Sequence, residues 1–432
     1  MSIPALQAQI DQVSADIQRQ RELLKKLERN KSFLQRKLND LRDPISRLPL
    51  EISSDIFIRC LPPYPGPGAH VPRLLLEICN TWTAIALSTP ALWARMNFYL
   101  PRPQGFQELL KLWFQRAGGQ PLCISVTGLM DDHVAAVIWE NSSRLERLEF
   151  SAGEKDETES GDDEPDSDSD GIERWDIWRS VEPQPLPLLQ SLFIYGREDL
   201  TLELLPFIQL LRLSPKLSEL TLHDVEFDGD ADEASEKLVL PNLRRLIFDY
   251  DAKDDTAGEY DILLFISAPH LQTLGLSAEG TSYSDWRITS FLWGSKPPLQ
   301  ELIVWDTDTD DADGLYNLLN IVPAVTRLEL KYPKPSIMGD LFTRLAETPC
   351  TILPSLQTLR IPCTLGHFSV FHWEATSRML ATRRTRLRSL QLVGLPGGVR
   401  VPANVLSAFR ELSAEGMEIQ IGYSGRNLLS LE

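Results

Sequence analysis

Six histidines, His70, His133, His223, His270, His367 and His372, must supply any ordinary acid–base chemistry in this chain. None sits in an H-E-x-x-H pair, and the sequence has no G-x-S-x-G nucleophile turn, no Walker A loop and no G-x-G-x-x-G phosphate turn. The nearest glycine-rich stretch, Pro65-Gly66-Pro67-Gly68, is interrupted by proline and reads as a loop. Cys350, Cys363, His367 and His372 are the one grouping that hints at zinc. Such a site needs four ligands converging tetrahedrally and usually opens on a close cysteine pair, which is missing here. Asp306, Asp308 and Asp310 imitate the alternate carboxylates of a calcium loop. Asp311 and Asn317 then stand where the turn glycine and the bidentate glutamate belong, so a solvated acidic loop is expected. The sequence leads us to expect no metal, no cofactor and no catalytic residues, hence not an enzyme.

At 432 residues the chain is long enough for two or three domains. Its 43% apolar and 24% charged fractions are those of a globular protein. The formal charge of −18 argues against binding nucleic acid or an anionic membrane with the whole surface. Four segments, 154–173, 228–236, 249–261 and 306–313, carry −10, −5, −5 and −5, leaving +7 on the rest. Five scattered cysteines make no disulfide framework. No apolar run approaches the ~18 residues of a membrane span, and the first residues lack a signal-peptide layout. The expected location is cytoplasmic and/or nuclear.

Residues 3–41 follow a heptad without a break. Positions a are Ile3, Ile10, Ile17, Leu24, Lys31 and Leu38, and positions d are Leu6, Val13, Gln20, Leu27, Leu34 and Leu41. An apolar 3.5-residue period predicts a coiled-coil helix over 1–42, roughly 60 Å long. Two readings follow, a homodimer through residues 3–41 or a helix folded back on the chain's own core. Asp43-Pro44 is expected to stop the helix.

Residues 43–97 read as three short helices. The first carries Ile52, Ile56, Phe57, Cys60 and Leu61 after Pro49; the second, 74–87, carries Leu75, Cys79, Trp82, Ile85 and Ala86. A third starts at Ser88-Thr89-Pro90 with Leu92, Trp93 and Met96. So small a body cannot bury all this apolar surface alone. Leu48-Pro49, Glu51-Ile52, Ile56-Phe57, Cys79-x-x-Trp82 and Leu92-Trp93, in that order, resemble an F-box. The wording ALSTPALWARM is similar to the many F-box proteins of mushroom-forming (basidiomycete) fungi. The resemblance covers some 50 residues and departs from the family in its proline-rich loop. It implies docking, through those ten positions, on the SKP-type adaptor of a cullin–RING ubiquitin ligase.

Beyond residue 98 the chain repeats L-x-x-L-x-L, with first anchors at Leu145, Leu189, Leu217, Leu243, Leu271, Leu299, Val325, Leu356 and Leu387. These lie 26 to 31 residues apart after one gap of 44. The spacing predicts a short strand per unit and a return helix such as 262–269 or 314–323, with 416–423 as a closing strand. The pattern resembles an irregular leucine-rich repeat, lacking the usual asparagine, and implies an α/β solenoid over 98–432. Residues between the anchors should then face outward. Tyr195, His223, Asp249, Trp305, Glu329, Lys331 and Arg360 are the candidate substrate surface, with Tyr195 and Trp305 expected exposed.

The acidic stretch 151–174 is expected to be disordered. Ser151, Ser160 and Ser167 each precede an acid by three residues, as acid-directed kinases prefer. Arg378, Arg383, Arg384, Arg386 and Arg388 offer a basic patch for it to dock on. The whole reads as an α plus α/β chain. Its expected role is the substrate-recognition subunit of an SKP-adaptor/cullin–RING ligase, binding an unknown protein substrate. The alternative is a ligase-independent coiled-coil and repeat scaffold.

Overall fold

The computed structural model describes residues 3–61, 71–101, 105–153, 173–178, 181–182, 184–197, 200–228, 237–249, 260–277, 286–305, 312–331, 333, 335–349, 351–362, 372–394, 401–423, 426–427 and 429. It is a mixed α/β chain with twelve α-helices among those residues and one large, mainly parallel sheet. It divides into two compact units, residues 1–97 with 105–123, and residues 98–104 with 124–432.

In the first unit α1, Ile3–Arg42, is a single uninterrupted helix. Its apolar heptad positions from Ile10 to Leu41 are all exposed, so they are not folded onto the chain's own core. The following elements are α2, Leu50–Arg59, α3, Val71–Ile78, α4, Asn80–Ser88, and α5, Phe106–Arg116. The expected single helix over 74–87 is two helices, because Cys79 is fully extended between them. Side chains of α1 stabilise that break. Arg36 and Asn39 donate to the Leu76 and Ile78 carbonyls at 2.9 Å each, satisfying the end of α3. Asp40 accepts from the Asn80 backbone N–H at 3.1 Å and the Asn80 side chain at 3.0 Å, capping α4 from another helix. The expected third helix is only a 3-10 turn, Pro90–Trp93, and Met96 falls on the strand Arg95–Tyr99. There the alternation of buried Met96 and Phe98 with more exposed neighbours has the period of a strand.

The second unit is organised by the sheet. The described strands of the large sheet that lie wholly in this unit follow in the order Leu145–Ser151, Ser191–Tyr195, Glu219–His223, Arg245–Asp249, Thr273–Ser277, Glu301–Trp305, Arg327–Lys331, Thr358–Pro362, Ser389–Val393, Glu418–Tyr423 and Arg426–Asn427. From Leu145–Ser151 to Glu418–Tyr423 every pairing is parallel and in repeat register, as in Leu220↔Leu246 and Leu274↔Leu302. All the L-x-x-L-x-L anchors are buried, since alternate side chains of each strand point to one face. That face is covered by α6, Asp132–Trp139, α7, Leu204–Arg212, α8, Trp286–Ser295, α9, Ala312–Ile321, α10, Pro335–Leu345, α11, Trp373–Arg383, and α12, Ala403–Ala414.

Two returns differ from expectation. Residues 262–269 hold a 3-10 turn, Asp261–Leu264, and a two-residue strand rather than a helix. After Glu219–His223 the described return residues are extended, not helical. Ser151 and Glu173–Arg174, expected within the disordered stretch, lie in strands, the latter paired with Leu200–Thr201. Just beyond, Trp178 packs on Trp139 with ring centres 4.2 Å apart, and the Trp139 indole donates to the Ile177 carbonyl. Ser160, Ser167 and the rest of 154–172 lie outside the described residues.

Candidate functional site

The ten motif residues of the first unit fall into two groups. Phe57, Cys79, Leu92 and Trp93 are buried core. Trp93 donates its indole N–H to the Ala86 carbonyl at 2.8 Å, and Arg116 of α5 lies over its ring at 4.5 Å. Trp82, half-buried, stacks 4.8 Å from Phe57 and donates to Asp43 at 2.9 Å. Burial pushes the Cys79 thiol above its ordinary range, which suits a core residue rather than a nucleophile. Leu48, Pro49, Glu51 and Ile52 instead stand in solvent beside exposed Leu50, and Ile56 is half-buried.

The split follows from helix geometry. Ser53 and Phe57, four apart, turn inward, whereas Ile52 and Ile56 form the adjoining row. Pro49 is the N-cap of α2, extended with ψ 147°, and its carbonyl accepts from Ile52 and Ser53 at 3.1 Å. That cap fixes the direction in which Leu48 leaves the helix.

In the second unit, the face of the sheet opposite the anchors carries the other candidates. Cross-strand register sets Tyr195 beside His223, His223 beside Asp249, and Trp305 beside both Ser277 and Lys331. From Tyr195 to Lys331 the row spans six strands, about 24 Å at the usual strand spacing. The Tyr195 and His223 rings meet edge-on at 5.7 Å, and His223 Nδ1 stands 2.8 Å from the Asp249 carbonyl. Burial, then the nearby Glu149 carboxylate, pushes the Tyr195 hydroxyl up, so it remains protonated and able to donate. Glu329 accepts from Arg360 at 3.2 Å. A neighbouring row alternates in sign, with Arg245 3.3 Å from Glu219 and 3.7 Å from Glu301.

Trp305 is not exposed as expected but 8% accessible. Its ring lies across Gly275, where a Cβ would sit 2.5 Å from Trp305 Cζ3 and 2.6 Å from Ile247 Cδ1. Ile247, Ile303 and Trp305 thereby form a small apolar cluster on a face that also carries Phe193. Lys331 Nζ stands over the indole at 4.1 Å. The sequence reading missed Gly275 as the residue that lets the indole lie flat. Its signal was a lone glycine within a strand.

Arg383 leaves the expected basic patch. It is 2% exposed and donates to the Leu345, Ile352 and Leu353 carbonyls at 2.6–2.7 Å, closing the end of α10. His133, His223, His270 and His372 lie on separate elements. His70, Cys350, Cys363, His367 and Asp306 to Asp311 lie outside the described residues. Among the described residues no three His, Cys, Asp or Glu side chains converge as a metal site, and no helix is long and apolar enough to cross a membrane. No protein-family model matches the sequence, and no curated protein matches it.

Proposed function

We propose that this chain is the substrate-recognition subunit of an SKP-adaptor/cullin–RING ubiquitin ligase. In this reading the helical unit docks the adaptor, and the second unit is an irregular leucine-rich repeat array whose face opposite the anchors selects a protein to be ubiquitylated. The observation that carries it is the division within the F-box-like motif. One set of its residues forms a core, while Leu48, Pro49, Glu51 and Ile52, with Leu50, are left in water at one helix start. Leu48, Leu50 and Ile52 keep 40–51% of their surface in water, and an adaptor would bury it. Catalysis belongs to other subunits; this chain contributes proximity, by holding substrate near the transferred ubiquitin. The row from Tyr195 to Lys331 supports recognition of an extended polypeptide, offering donors, acceptors and one apolar cluster in sequence.

Co-expression with an SKP-type adaptor tests the reading. The two proteins should co-elute, and replacing Leu48 and Pro49 by alanine should abolish co-elution with little change in the melting of the sheet unit. Adaptor binding that survives the double replacement defeats the assignment. A chain that stays soluble and never binds any adaptor leaves the scaffold reading in its place.

A further inference from the structure

The long N-terminal helix presents a surface that the ligase reading does not use. We infer that a second copy of this chain covers it, forming a parallel, in-register, two-stranded coiled coil. Ile10, Ile17, Leu24 and Leu38 at positions a, and Val13, Leu27, Leu34 and Leu41 at positions d, are between 40% and 85% exposed. Helices of this kind draw most of their stability from a packed apolar face. Among the described residues, the hydrogen bonds that hold α1 to other helices fall in its last turns, through Arg36, Asn39 and Asp40.

Those three residues occupy heptad positions f, b and c, the flank away from the seam. The helical module therefore sits on the polar side of α1, and the seam stays open even beside it. Among the described residues the stripe from Ile10 to Leu41 is exposed, so a second helix can pack along it.

Charge and layer composition select the occupant. In a parallel pair each layer meets itself, so Gln20 faces Gln20, whose amides can bond one another, and Lys31 faces Lys31. Asp16 at g reaches Arg21 at e of the second copy, an attractive pair formed twice. The antiparallel alignment sets Gln20 against Leu24 and brings Arg21 against Arg21, losing both advantages. Lys37 and Arg42 repel in the last heptad of the parallel form, also twice, which offsets the Asp16–Arg21 pairs and leaves the layer composition to decide. Ile10 and Ile17 at a, with Leu27 and Leu34 at d, favour two strands, and a charged a-position residue such as Lys31 specifies register at some cost in stability.

Sedimentation of the full chain at micromolar concentration should give twice the 48.9 kDa chain mass. Ile17→Glu combined with Leu24→Glu should give the single-chain mass with the near-ultraviolet dichroism of the sheet unit unchanged. Lys31→Leu should tighten the dimer about tenfold or more. In chains also carrying Cys60→Ser, Gln20→Cys should oxidise to a disulfide-linked dimer, whereas Arg29→Cys at position f should not. A single-chain mass for the unmodified protein overturns the inference, as does a dimer that survives the double glutamate variant. Equal cross-linking at positions 20 and 29 overturns the parallel register.

Discussion

The two units treat apolar surface in opposite ways. Of twenty-three exposed large apolar side chains among the described residues, seventeen belong to the first unit, although it is much the smaller. In the second unit the repeat anchors are buried from Leu145 to Leu392. Repetition lets each strand be covered by its neighbours, so the array completes itself. The helical unit has a small core, and α1 is joined to it by polar clasps, Asp40 on α4, Asn39 and Arg36 on α3, with Asp43 on Trp82 beside them. Those clasps consume little apolar surface, which leaves leucines and isoleucines available to other chains. The lesson is that one unit buries its apolar repeats within itself, whereas the other leaves much of its apolar surface exposed.

The largest break in that contrast would come at Arg383. Arg383→Ala strands three buried carbonyls and should cost about 3 kcal/mol or more in denaturant unfolding of the sheet unit. A loss below about 1 kcal/mol would mean the array is less dependent on internal satisfaction than the contrast requires. Next is Gly275→Ala, whose methyl must displace Trp305 or Ile247 and should cost about 1–3 kcal/mol, with a shift in indole fluorescence.

Asp40 probes the clasped unit. The Cys79 thiol, then the backbone and side chain of the α4 start, bond its carboxylate and hold its pKa below the ordinary value. A carboxyl so lowered adds stability that is full above its unfolded pKa and disappears as pH falls through the folded one. Acid titration below about pH 4 should therefore loosen the helical unit, and Asp40→Asn should flatten that part of the profile. Dichroism at 222 nm against pH would show it, and an unchanged profile would remove Asp40 as a clasp. The smallest effect is expected at Lys331→Gln, about 0.5–1 kcal/mol or less from the lost indole contact. A larger destabilisation would make that face part of the core rather than a surface for another chain.

The repeat array was the most legible part of the sequence. L-x-x-L-x-L is a strand signal with its burial pattern written in, and the parallel register follows from aligning like anchors. What escaped was information held at a distance. Nothing in 74–87 marks the break at Cys79, because the cap that permits it is Asp40, some forty residues earlier. Trp305 looked exposed because its cover, Gly275 with Ile247, sits on two preceding repeats. Arg383 looked like one more surface cation, since arginines that cap carbonyls and arginines that face water are spelled alike. The division of the helical motif into core and contact needed the helix phase, which turns Ser53 and Phe57 inward and leaves Ile52 out.

The indole lying across Gly275 also bears on how such an array can change over generations. Thr273–Ser277 and Glu301–Trp305 are no longer interchangeable units, because each is shaped to the other. Duplicating, deleting or transplanting one without its mate would leave either a ring with no floor or a bare strip of backbone. At that point two adjoining strands, rather than one, make the smallest piece that could be moved without leaving a gap.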